Sequence, residues 1–398
     1  MPIMVVKEDS VMEDTVVTFG DVARAIEEEA PLTLQESYDN SGLQLGRPST
    51  AVRGILVCFD VTESVLEEAR EQGANLVVSH HPLLFHGVKE LTGGTRTSRL
   101  LLRALELGIG LYAAHTSLDA APHGVNWEMA QMLGLREVGP LRPIDEELIK
   151  VVTYVPPSHA EAVREAMFSA GAGCIGLYSR CSYNLEGEGT FFSPHEAEPY
   201  IGGKDSFTTT REVRIETVAP AERVQAVVSA LQTAHPYQEV AYDLYSLRNA
   251  RAIGGLGAVG LLPEAESIER FVARLMRVFA PPCIRMSTSG LRAIRRVAVC
   301  GGSGVSLLPE AERCGADILV TGDCKYHDFQ RMPESTILCD IGHRESELCA
   351  VRLLHRLLAK KFTTFAIWES AQEKSPVAYY LNTRSQDEYS EDHARPRR

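Results

Sequence analysis

Short apolar runs, each about one strand long, alternate along the chain with segments whose apolar positions recur every three or four residues. Residues 54–60 (GILVCFD) are a continuous apolar run with β-branched and aromatic members, which predicts a buried strand. Thr62 is placed to cap a helix over 63–72, Gly73 supplies its stop, and 76–78 (LVV) predicts the next strand. Strand, helix, strand at this spacing is a βαβ unit, which implies a parallel sheet and a right-handed crossover. The rhythm continues with a helix over 97–107, a strand over 110–114 and a helix over 126–133, and an amphipathic helix over 21–29 precedes it.

From about residue 149 the texture changes. Residues 151–155, 183–192, 213–218 and 240–245 predict strands, and 158–170 and 221–234 predict helices. That β-α-β-β-α-β order predicts a ferredoxin-like module. After a helix over 267–279 the earlier rhythm returns, with strands at 295–300, 317–321, 336–340 and 362–367 and helices at 307–314 and from 342 to 360. The fold class expected is therefore α/β: a two-part domain with mainly parallel sheets, interrupted by an inserted α+β module. Its halves run over 16–148 and 251–382 around an insert at 149–250, and the polar tail 383–398 reads as disordered.

Composition narrows the class. With 398 residues, 44% of them hydrophobic, the chain can bury more than one core. Its apolar runs are too short to span a membrane, and residues 1–15 lack the pattern of a signal or transit peptide, so cytoplasmic residence is expected. Nine cysteines are scattered without a C-x-x-C pair, several inside apolar runs, which predicts reduced, buried thiols. A formal net charge of −13 disfavours nucleic acid as the main partner, because phosphate binding needs clustered Lys and Arg.

Polar chemistry gathers where strands end. His80-His81-Pro82 follows the 76–78 run, His115 and Asp119 follow 110–114, Asp323 and His327 follow 317–321, and His343 and Glu347 follow 336–340. Ligands of open α/β sheets bind at the carboxyl ends of strands. His343 and Glu347, four apart at a helix start, share one helical face, as His327 and Asp323 would. Each group alone reads as a cap, a turn or a surface pair. Together they read as a metal site of mixed nitrogen and oxygen donors without thiolate, which suits zinc, manganese, iron, cobalt or nickel. The loop 301–304 (GGSG) has two readings, a backbone cradle for phosphate or a tight βα turn. His235-Pro236-Tyr237 reads as packing, and Asp60, His86 and His123 carry no separate signal.

Five ordered motifs then make a resemblance: 38–46 (YDNSGLQLG), 79–82 (SHHP), 115–119 (HTSLD), 321–327 (TGDCKYH) and 342–347 (GHRESE). The chain resembles the YbgI/Nif-three-like dinuclear-metal family, also labelled GTP cyclohydrolase I type 2, over nearly its whole length. Its insert resembles the PII/CutA-like domain of the longer members, through 173–176 (GCIG), 186–190 (EGEGT), 199–202 (PYIG) and 234–243 (AHPYQEVAYD). Tyr38 and Gln238 stand where Trp and Glu are usual, away from the expected ligands.

The resemblance implies two divalent ions per subunit, held by His80, His81, Asp119, His343 and Glu347, with Glu347 as the bridge. It implies that His115 and His327 line the same pocket as acid/base or substrate contacts, with Asp39 and Asp323 orienting ligand histidines. It also implies a toroidal homohexamer with metal sites facing an inner cavity. The function expected is a metal-dependent hydrolase acting on a small phosphorylated or heterocyclic substrate. The competing expectation is a non-catalytic metal-binding, regulatory or scaffold ring.

Overall fold

A computed structural model describes residues 16–249, 251–288, 290, 293–332 and 335–380; the expected tail at 383–398 lies outside them. Contacts divide the chain into two compact units, 1–143 with 254–398, and 144–253.

The first unit opens with α1 (Phe19–Glu29), whose Thr18 and Asp21 form a capping box. It continues with β1 (Gly42–Leu45), β2 (Gly54–Cys58), α2 (Glu63–Gln72), β3 (Leu76–Ser79), α3 (Arg96–Leu107), β4 (Gly110–Ala113), α4 (Thr116–Ala120), α5 (Val125–Met132) and β5 (Arg136–Glu146). Thr62 caps α2, and Gly73 ends it in the left-handed conformation at φ +76°.

The second unit runs β6 (Leu148–Val155), α6 (Ala160–Ser169), β7 (Ser182–Ser193), β8 (Ser206–Pro220), α7 (Val224–Ala234) and β9 (Tyr242–Ser246). Its sheet has the order β7-β8-β6-β9, and the pairings β7–β8, β8–β6 and β6–β9 are antiparallel. Val163 and Met167 of α6 and Val227 and Leu231 of α7 meet Val151, Val155, Ile215 and Ala219 in one core on a single sheet face.

The chain returns through β10 (Arg251–Ser267), α8 (Ile268–Phe279), β11 (Arg285–Met286), β12 (Ala293–Val299), α9 (Leu308–Arg313), β13 (Ile318–Thr321), α10 (Tyr326–Gln330), β14 (Ile337–Asp340), α11 (His343–Glu347), α12 (Cys349–Lys361) and β15 (Ala366–Glu369). Two sheets result in the first unit, β1-β4-β3-β2-β15 and β11-β14-β13-β12-β10-β5.

In the first of these, β4–β3, β3–β2 and β2–β15 are parallel and only β1 runs against its neighbour. The second is mixed rather than mainly parallel: β12–β13 and β13–β14 are parallel, but β10 and β11 pair antiparallel with β12 and β14. Every residue of β2, β3, β4, β13 and β14 is buried, as strands covered on both faces require.

β5 and β10 are absent from the sequence expectation. β10 carries Gly254, Gly255, Gly257 and Gly260, which read as strand breakers. They serve close packing instead: a Cβ on Gly254 would stand 2.3 Å from the Ala120 carbonyl oxygen, and one on Gly255 2.4 Å from Pro140 Cβ. The last strand begins at Ala366 rather than 362, because Phe362 still caps α12 and pairing with β2 starts at Ala366 opposite Gly54. All nine cysteines are free; Cys58, Cys324, Cys339 and Cys349 are buried, while Cys174 is exposed. Among the described residues no helix is long and apolar enough to cross a membrane.

Phe19, 2% exposed, lies against β4 where Gly110 has no side chain; a Cβ there would stand 2.2 Å from Phe19 Cε2. Gly110→Ala is expected to cost about 1–3 kcal/mol of stability, measured as a lower urea midpoint. Combined with Phe19→Leu it should cost less than the two single losses added, since the smaller side chain removes the clash.

Candidate metal centre

The parallel strands of both sheets in the first unit deliver their chemistry from their carboxyl ends. Asp60 follows β2, His80 and His81 follow β3, His115 follows β4, Gly301 and Gly302 follow β12, Asp323 follows β13 and His343 follows β14. His80 N and His81 N still donate to the carbonyls of Cys58 and Phe59 (3.0 Å each), so the ladder runs two residues beyond β3 before Pro82 stops it. The two imidazoles lie with centroids 5.1 Å apart.

Each histidine is held by its Nδ1. His80 Nδ1 faces the Ala114 carbonyl oxygen at 2.8 Å; a carbonyl only accepts, so Nδ1 carries the proton. By the same logic His81 Nδ1 donates to Asp60 Oδ1 (3.0 Å), His115 Nδ1 to Asp39 Oδ1 (2.7 Å) and His343 Nδ1 to Asp323 Oδ2 (2.7 Å). With Nδ1 so engaged, His80, His81 and His343 turn Nε2 toward a common space, where loss of the Nε2 proton would leave a lone pair for a cation, the arrangement that outer partners impose on metal-binding histidines.

Glu347 Oε2 stands in that space. It lies 3.3 Å from His81 Nε2, 3.0 Å from His343 Nε2 and 3.7 Å from His80 Nε2. His80 Nε2 is also 3.7 Å from Asp119 Oδ1. His81 Nε2 and His343 Nε2 face each other at 3.3 Å. Two donors bound to one tetrahedral ion stand about 3.3 Å apart. Among the described residues His80 Nε2 and Asp119 Oδ1 are buried without a hydrogen-bond partner, an arrangement that costs several kcal/mol unless a cation stands between them. The residues present fit a divalent metal, and His80, His81 and Glu347 bring their ligand atoms within 4.8 Å of one another.

The glycines of the 301–304 loop make room for this carboxylate. A Cβ on Gly302 would stand 2.2 Å from Glu347 Oε1, and one on Gly301 2.9 Å from its Cγ. Three of the loop's four amides are engaged: Gly301 N donates to Asn126 Oδ1, Gly302 N to Ser346 Oγ (2.9 Å each) and Gly304 N to Thr321 Oγ1 (2.8 Å). Of the two readings open for this loop, the tight turn holds, with its tightness serving Glu347.

Electrostatics follow the geometry. Burial pushes the Glu347 carboxyl upward, yet hydrogen bonds from His343 and His81, with the His80 ring close by, hold it well below the usual carboxylate range. Burial raises Asp119 to about 6 against the pull of His80. Burial lowers His81 and His343, but hydrogen bonds outweigh it, with Asp60 and Glu347 raising His81 to about 10 and Glu347 and Asp323 raising His343 to about 9.

His80, His81, Asp119, His343 and Glu347 therefore converge, and His115 joins them, its ring centroid 5.5 Å from His80 and 5.3 Å from His81. His327 does not. It is exposed on α10, with Nδ1 3.1 Å from Gln330 Oε1, and Asp323, at φ +56°, turns its carboxylate to His343. Asp60, which carried no separate signal, is the acceptor that orients His81. Glu373 was missed altogether: its Oε1 accepts from Phe59 N (2.6 Å) and Asp60 N (2.7 Å), which fixes the turn bearing Asp60. Asp60 sits at a strand tip like the other site residues, and that position was the available signal; Glu373 offers none.

The profile of the family described as Duf34/NIF3 (NGG1p interacting factor 3) matches residues 17–376. A Halalkalibacterium halodurans protein named GTP cyclohydrolase 1 type 2 homolog is 38% identical over 329 residues, covering 82% of this chain and 88% of that one. A Bacillus subtilis protein of the same name is 37% identical over 364 residues, 90% of this chain and 97% of its own. The crystal structure of a Bacillus cereus protein related to NIF3 superposes with a TM-score of 0.78 at 35% identity, covering 92% of this chain and all of the other.

Because His81 and His343 must lose protons before binding a cation, metal affinity is expected to rise with pH between 6 and 9, by about tenfold per pH unit for each proton displaced. Calorimetric titration of chelator-treated protein in buffers of different ionisation enthalpy measures both the affinity and the protons released. Gly302→Ala should weaken binding at every pH, since its Cβ displaces Glu347 and its φ of +60° strains a side chain.

Proposed function

The chain belongs to the Duf34/NIF3 family, and on that footing we propose that it is a metal-dependent hydrolase with a dinuclear centre. The observation that carries the reading is the unpartnered buried pair, His80 Nε2 and Asp119 Oδ1, beside a carboxylate oxygen that also faces His81 and His343. His80 and Asp119 would hold one divalent ion, His81 and His343 the other, and Glu347 would serve both. Two ions so held would supply an activated water and neutralise charge that builds on the substrate.

The remaining work falls to the chain. Asp39 fixes the Nδ1–H of His115, which leaves Nε2 as a base able to take a proton from water and return it to a leaving group. Asp39 itself is held below the carboxylate range: burial would raise it, but hydrogen bonds from His115 and Thr116 prevail. We assign the acid/base role to His115 alone, since His327 stands apart. The relatives' name supports hydrolysis of a small phosphorylated or heterocyclic molecule.

The same reading takes the insert as a ferredoxin-like, PII/CutA-like module, supported by the order β7-β8-β6-β9 with both helices on one face. It takes the assembly as a toroidal homohexamer, which light scattering would register as six times the 43.7 kDa chain.

Protein purified without chelator should contain close to two metal ions per chain by elemental analysis, and Glu347→Ala far fewer. One ion or none in the parent protein overturns the dinuclear reading. His115→Ala is expected to keep its metal and lose about 100-fold or more in hydrolysis. Retained biological function in a metal-free Glu347→Ala variant would favour the non-catalytic ring.

A further inference from the structure

A cavity of about 530 Å³, the size of small-molecule sites, opens beside the metal-centre residues and is lined by His81, His343, Phe59, Arg285, Arg344 and Tyr379 among others. Most of its charged groups are engaged. Asp60 accepts from His81 and Asp323 from His343. Asp340 pairs with Arg285, whose guanidinium also donates to the Cys324 carbonyl (2.8 Å) and lies 5.5 Å over the Phe329 ring.

Arg344 differs. Its side chain is 19% exposed, its guanidinium lies 5.4 Å over the Phe59 ring, and its nearest carboxylate oxygen, Glu373 Oε2, is 4.0 Å away. Among the described residues its guanidinium makes no hydrogen bond. The other Glu373 oxygen takes the amides of Phe59 and Asp60, so the ring under Arg344 is anchored from its own backbone. The result is a stacked, oriented guanidinium with open donors in the cavity that His81 and His343 share.

We propose that Arg344 binds an oxyanion of the substrate, a phosphate or a carboxylate, and so orients the rest of the molecule toward the metal centre. A planar guanidinium fork matches either group in a two-point contact, and stacking on Phe59 limits the rotation that would blur it. The remaining carboxylate of the cavity, Glu345, folds over Gly342, where a Cβ would stand 2.3 Å from its Oε2. This inference rests on the hydrolase reading above and names the part of the substrate that reading leaves open.

The test measures metal content first and anion binding second, on the full chain purified without chelator. Equilibrium dialysis with radiolabelled inorganic phosphate and, separately, acetate is run on the parent protein, Arg344→Gln and Arg344→Lys. Gln keeps a stem over Phe59 without the charge; Lys keeps the charge without the fork. At unchanged metal content, Arg344→Gln should weaken anion binding by at least about tenfold, with Arg344→Lys between it and the parent. A preference for phosphate marks a phosphoester substrate, and a preference for acetate a carboxylic acid. Equal binding by Arg344→Gln and the parent, or no binding of either anion by metal-loaded parent protein, overturns the inference. Anion binding that depends on Arg344 in a protein that takes up no metal would sink the hydrolase reading and leave the oxyanion site standing.

Discussion

Glu347 keeps an ionised carboxylate almost out of reach of water, at 4% side-chain exposure, and the surrounding structure answers that cost. A charge buried so deeply is tolerated only when paired and hydrogen-bonded. Three imidazoles surround it, and each of those rings needs its own acceptor to stay in place: the Ala114 carbonyl, Asp60 and Asp323. The demand then spreads outward. Asp323 takes up a left-handed backbone to reach His343, Glu373 clamps the amides around Asp60, and Gly301 and Gly302 give up side chains so that Glu347 fits. Removal of any one of these supports leaves the carboxylate less well answered than before.

Much of this was legible in the sequence, for a definite physical reason. Strands buried on both faces have few residue types to choose from, so β2, β3, β4, β13 and β14 appear as unbroken apolar runs, and the polar residues just beyond them stand out. That contrast exposed His80, His81, Asp119, His343 and Glu347. β10 did not stand out, because its glycines answer to neighbours such as Ala120 and Pro140 that lie far along the chain. Glu373 was invisible for the same reason: it acts through a side-chain oxygen on backbone amides 313 and 314 residues away, which no spacing rule encodes. His327 misled in the opposite sense. Its four-residue spacing from Asp323 suits a shared face only if the helix includes both, and α10 begins after Asp323 has turned away.

The two buried carboxyls behave differently although they share one space. Glu347 is surrounded by donors and is held ionised, whereas Asp119, with an oxygen that accepts no hydrogen bond among the described residues, is drawn upward by burial. That contrast separates the two sides of the site. On one, Glu347 raises the affinity of His81 and His343 for protons; on the other, His80 Nε2 and Asp119 Oδ1 find no hydrogen-bond partner among the described residues.

His81 and Glu347 are 266 residues apart in sequence, and Asn126 ties the two flanks of the site, donating to the Asp119 carbonyl while accepting from Gly301 N. A ligand set drawn from such distant positions does not exist in the unfolded chain, which can offer a cation only local pairs such as His80-His81. Under the proposed loading, the free energy of metal binding therefore adds to the stability of the native state with little offset from the unfolded one. The folded fraction then tracks the free metal concentration. In a cell short of that metal, the chains first taken by proteases would be the unloaded ones, so the protein's abundance itself would report metal supply.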